Sequence, residues 1–95
     1  MTHRRITAAK VAVYRQYSGD IDGWTRSTSR SADLNDNDWY LIDDLRQRFF
    51  LVLTRNASQS FIDRLEADLA LHVPDESARS GLRELAVEDV KAQRS

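Results

Sequence analysis

Leu34 to Arg55, LNDNDWYLIDDLRQRFFLVLTR, is the stretch that decides the fold. Its opening residues specify a helix start. Asn35 can cap, Asp36 and Asp38 put negative charge in the first turn where unpaired N–H groups and the dipole favour it, and Leu34 can staple onto Trp39. The body is amphipathic: at about 100° per residue, Trp39, Ile42, Leu45, Phe49, Phe50, Val52 and Leu53 fall in one broad arc. Tyr40, Asp44, Gln47, Arg48, Leu51 and Arg55 take the other side. Arg46 breaks the pattern, because it lies within the apolar arc at about 340° from Trp39. Its permanent charge must reach water or a carboxylate. A strand over Phe49 to Thr54 is the competing reading, rejected because no second alternating run exists to pair with it.

Working outward, residues 5 to 17 offer a first helix with Ile6, Ala9, Val13 and Tyr17 at helical spacing and Gly19 as a stop. Residues 18 to 34, SGDIDGWTRSTSRSADL, make a long connection. Its first part, GDIDGW, suggests an ordered or single-turn segment with Ile21 and Trp24 tucked inward, and its second, TRSTSRSA, a mobile one. After the central helix, Ser58 can cap a third helix carrying Phe61, Ile62, Leu65, Leu69 and Val73, which Pro74 ends. Residues 75 to 92 give a fourth with Ala78, Leu82, Leu85, Ala86 and Val90. There Gly81 costs about 1 kcal/mol relative to alanine. Tyr40, Leu41 and Leu51 are expected to pack on that fourth helix rather than form an exposed patch.

The expected fold is all-α: a small antiparallel bundle of three to four helices with a long loop between helices 1 and 2, one domain over residues 1 to 95, with flexible ends at about 1–4 and 91–95. An apolar content of 41% and a charged content of 31% lie near the globular range, against wholesale disorder. The absence of cysteine removes disulfides, thiolate ligands and thiol nucleophiles, and fits a reducing cytoplasm. No apolar run reaches spanning length, so no membrane is expected as partner.

The net charge of −1 gives no global case for nucleic acid, but the charge is unevenly placed. Arg4, Arg5, Lys10 and Arg15 meet no acid in the first seventeen residues, whereas residues 18 to 45 carry seven Asp against Arg26 and Arg30. The N-terminal cluster is the basis of the alternative function, a nucleic-acid-binding accessory protein; a solvated helix face accounts for it more simply. The third helix carries more acid than base and would repel phosphates in a helix-turn-helix arrangement.

Asp20-Ile21-Asp22-Gly23 has the alternating acids and glycine of part of a calcium loop. Ser18 and Ser29, however, stand where the first and last ligands belong, and Arg26 faces the intended cation. A capped turn, or an acid that answers Arg46, is the better reading. The sharpest expectation is therefore that Asp20 or Asp22 pairs with Arg46, with Asp43 as a local competitor. His72 and His3 have no acidic companions that would make a metal centre or a His-based catalytic site. No serine sits in a nucleophile elbow or S-x-x-K pattern, and Gly19 and Gly23 lack the context of a phosphate loop.

No enzyme, cofactor or metal is thus expected. The sequence favours a small binding or regulatory protein, an inhibitor or adaptor, acting through a protein partner. Its candidate surface is the acidic end: Asp20, Asp22, Trp24, Arg26, Asp36 and Asp38, with Arg46 as the structural ion-pair candidate. Homodimerisation through the exposed side of the central helix is a further route.

Overall fold

A computed structural model of the chain describes residues 5–26 and 34–94, apart from the side chains of Ile21, Trp24, Thr25 and Arg94. The expectations placed on residues 1–4, on the hydroxyl-rich segment 27–33, on Ser95 and on the inward turn of the Ile21 and Trp24 side chains lie outside the described residues. Helices account for nearly all the rest: α1 Ala8–Tyr17, α2 Ile21–Arg26, α3 Asp36–Thr54, α4 Gln59–His72 and α5 Glu76–Arg94. No strand occurs among the described residues, Phe49 to Thr54 included. The chain is an all-α bundle of four longer helices, with the short α2 at the start of the long connection.

Each helix begins where a side chain can take up its orphan N–H groups. Thr7 Oγ1 accepts from Lys10 N (3.3 Å) at the start of α1. Asn35 and Asp38 close a capping box on α3: Asp38 N donates to Asn35 Oδ1 (2.8 Å) and Asn35 N to Asp38 Oδ2 (3.4 Å). Ser58 accepts from Phe61 N on α4, and Asp75 Oδ1 from Ser77 N (3.0 Å) before α5. Leu34, just ahead of the α3 cap, and Trp39 are both buried, as a staple requires.

α3 and α5 share the main interface and α1 lies across both, while α4 meets α3 along a much smaller contact. Ile42 and Leu45 of α3 and Ala78, Leu82 and Ala86 of α5 are completely excluded from solvent. Each of the larger side chains contributes about 1.5–3 kcal/mol by leaving water. Short connections, residues 55–58 and 73–75, join α3 to α4 and α4 to α5. The molecule is thin, 41 × 40 × 19 Å, so its smallest dimension is only about two helix diameters.

Several expectations about the helices and their packing need correction. Ile6 does not belong to the stripe of α1: it precedes the helix, is fully buried, and its N–H donates to the carbonyl of His72 (2.7 Å), tying the N-terminal end to the end of α4. The buried face of α1 is Val11 and Tyr14, with Ala9 exposed and Val13 and Tyr17 only partly covered. Tyr40 remains 65% exposed and does not pack on α5, and Leu53, expected in the core arc, is 49% exposed. α5 also runs on to Arg94 instead of ending near residue 92.

Gly81 marks the place where α1 comes closest to α5. A Cβ there would stand 2.9 Å from Val11 Cγ1, nearer than real Cβ contacts come. The helix tolerates the glycine because the crossing needs it.

Candidate functional site

The most connected polar feature is a seam joining α1, α3 and α5. Arg46 grips Asp89 with both arms of its guanidinium, Nε to Oδ2 (2.7 Å) and Nη2 to Oδ1 (2.6 Å). Its remaining terminal nitrogen, Nη1, donates to the Tyr14 hydroxyl (3.1 Å) and to Ser18 Oγ (2.8 Å). Tyr14 in turn donates to Asp43 Oδ1 (2.6 Å), and its ring lies 4.6 Å from that of Trp39. The planar fork of arginine is suited to this task, because one side chain reaches two helices and the turn after α1 at once.

Arg46 is therefore ion-paired, but its acid is Asp89 of the last helix and not Asp20 or Asp22. Asp20 is occupied elsewhere, accepting from Gly23 N (3.0 Å) as the cap of α2, with the glycine leaving room for that carboxylate. Asp43, the expected competitor, accepts a hydrogen bond from the Tyr14 hydroxyl instead of pairing with the guanidinium. Burial, then the hydrogen bond to Asp43, pushes the Tyr14 phenol up to about 12. The hydrogen bonds to Asp89 hold the Arg46 guanidinium well above its ordinary value. At neutral pH the phenol is a donor and the guanidinium a fixed cation, a combination suited to a clamp between helices. A shallow cavity of about 270 Å³ beside it is lined by Asp43, Arg46, Gln47, Phe50 and Asp89.

The acidic end comes apart on inspection. Asp38 is 2% exposed: its carboxylate serves the capping box and lies 3.0 Å from Lys10 Nζ, so it cannot meet a partner. Asp22, Arg26 and Asp36 are exposed, the first two on the short α2 and the third in the first turn of α3. Of the six candidates only these three have described side chains at the surface and outside a capping role. Two of the four N-terminal cations are likewise engaged, Lys10 facing Asp38 and Arg15 facing Glu84 (3.6 Å) and Glu88, whereas Arg5 is exposed and Arg4 lies outside the described residues. Among the described residues no group of three or more His, Asp or Glu could hold a metal ion.

A second feature, absent from the sequence reading, is an open cleft between α3, α4 and α5. Phe49 and Val52 form its floor, Ile62, Leu65, Glu66, Leu69 and Ala70 line the α4 wall, and Glu76, Arg79 and Arg83 line the α5 wall. It encloses about 400 Å³. The α4 wall is apolar but for Glu66 and the α5 wall is charged, with the Arg83 guanidinium 5.9 Å above the Phe49 ring and Arg79 Nε donating to the Val73 carbonyl (2.6 Å). Arg48 fastens α4 to α3 from the other side, pairing with Asp44 (2.7 Å) and Asp68.

No protein-family model matches the chain, and no curated protein or solved structure matches it. No helix among the described residues is long and apolar enough to cross a membrane.

Proposed function

We propose that the chain is a small helical binding protein, an inhibitor or adaptor in the cytoplasm, that acts through a protein partner seated in the cleft between α3, α4 and α5. The cleft itself is the observation that carries this reading. It exposes part of an apolar floor and wall that the rest of the chain leaves uncovered, rimmed by charge, which is the form a helix-binding groove takes. The Arg46 seam, by contrast, has its groups engaged in holding three helices in place, so it supports the scaffold. The pairing of Lys10 and Arg15 with acids takes two cations from the nucleic-acid alternative, which keeps the exposed Arg5 and Arg26 among its described residues.

Capture from an extract of the native host tests the reading. The full chain, Ile62→Glu in the cleft wall, and Asp22→Ala/Asp36→Ala at the acidic end are immobilised side by side. The expected outcome is a protein retained by the first and third and lost with Ile62→Glu. Equal capture by all three sinks the cleft as the binding surface; loss with the acidic-end variant alone moves the surface back to α2 and the start of α3.

A further inference from the structure

Resting on that reading of the cleft, we propose that its occupant is a second copy of this chain, with α4 of each copy laid against α5 of the other about a two-fold axis. A two-fold interface must carry both halves of every contact on one surface, because residue i meets j while j meets i. The cleft does so. Its α4 wall presents Glu66 and its α5 wall presents Arg83, and among the described residues neither has an ion-pair partner within the chain. Rotating a second copy onto the first brings each Glu66 to the other copy's Arg83.

The occupant that fits must be a helix with an apolar edge and an acid beside it, apolar toward the α3 floor and acidic toward Arg83. α4 has that edge. Ile62, Glu66 and Leu69 stand at i, i+4 and i+7 along the side that faces the cleft. Ile62 is half-buried, so it has contact area left to give, and Val52 on the floor is in the same state. The small contact between α4 and α3 fits this picture, since the other copy's α5 would supply the neighbour that the edge helix α4 of a molecule only 19 Å thick lacks. A net charge of −1 places little repulsion between copies.

Sedimentation equilibrium or light scattering on the full chain decides the matter, with circular dichroism to show that each variant is folded. The wild type is expected to approach twice 10.9 kDa at concentrations up to about 0.5 mM, where association tighter than about 1 mM registers. Glu66→Arg alone and Arg83→Glu alone each oppose like charges and weaken the dimer about tenfold or more. An equimolar mixture of the two opposes Arg to Glu at both contacts, so it forms a heterodimer as tight as the wild type. A wild type that stays monomeric overturns the proposal, as does a dimer indifferent to both charge reversals. A monomeric chain whose captured partner is still lost on Ile62→Glu refutes self-association while leaving the binding reading intact. Dimerisation with no cleft-dependent capture does the reverse.

Discussion

Cutting the Arg46 clamp is the most informative perturbation of the fold. Replacing Arg46 by Met keeps the aliphatic stem that lies along the apolar arc of α3 and removes only the charged fork. It takes away four hydrogen bonds, two to Asp89, one to Tyr14 and one to Ser18. The pair is neither surface nor core: the Arg46 side chain is 21% exposed and Asp89 32%. Exposed pairs are worth about 0.2–1 kcal/mol, and removing one member of a buried pair costs about 3–5 kcal/mol. An intermediate site therefore loses about 2 kcal/mol, or about 8–16 °C in Tm for a domain of this size. Asp89→Leu alone strands the guanidinium and is expected to cost a similar amount.

The decisive quantity is the coupling between the two. If the clamp joins α3 to α5 energetically, Arg46→Met/Asp89→Leu falls short of the sum of the single losses by about 1–2 kcal/mol, since the double variant leaves no stranded charge. Urea denaturation followed by circular dichroism and by tryptophan fluorescence gives all four corners of the cycle, with an unchanged m-value confirming a shift in stability alone. A coupling below about 0.5 kcal/mol, within the additivity expected of independent sites, would falsify the view that this bridge ties the helices together.

Two further outcomes follow from the same geometry. Tyr14 binds its proton more tightly folded, with its pKa raised from 10.0 to about 12, so it contributes stability that is full below pH 10 and lost as pH rises through about 12. The loss is at most about 2.7 kcal/mol before screening is allowed for. Ultraviolet titration of the three tyrosines should show a late component that Tyr14→Phe abolishes, and an unaltered titration in that variant would refute the assignment. Gly81→Ala should gain about 1 kcal/mol of helix propensity yet lose about 1–3 kcal/mol to the Val11 contact, giving a net loss. With Val11→Ala already present the same change should become neutral or stabilising relative to that background, and thermal melts of the four proteins would show otherwise if the crossing were loose.

The signals that could be read from the sequence were those belonging to one helix at a time. The Asn35 and Asp38 cap, Ser58, Pro74 and the central part of the arcs of α3, α4 and α5 depend on local hydrogen bonds and on periodicity, and the structure has them where those rules put them, with Leu53 near the end of α3 as the exception. α1 shows where this stops. Alanine, valine and tyrosine fill seven of its ten positions, so several arcs are about equally apolar, and tertiary packing selects Val11 and Tyr14 because Gly81 lets α5 approach that side. Thr7 was the overlooked clue, since a cap there excludes Ile6 from the helix.

The partner of Arg46 was misplaced for a related reason. Two acids in a glycine-hinged loop made Asp20 and Asp22 the apparent answer to a charge inside an apolar stripe, but nothing in the pattern of one helix says which other helix it will meet. The pattern does carry a rule that links the two. Asp89 stands four residues after Leu85 and seven after Leu82, an acid continuing an apolar stripe, just as Arg46 is a base inside one. A charge on a buried face needs an opposite charge on the face it packs against, so two such irregularities predict a contact between the helices that hold them. The cleft had no comparable signal. It lies where α4 and α5, joined by residues 73–75, make little contact, while Phe49, Val52, Ile62, Leu65 and Leu69, which line it, read in sequence as ordinary core positions. Periodicity identifies which side of a helix avoids water, and only the arrangement of all the helices shows whether the chain has enough of itself to cover that side.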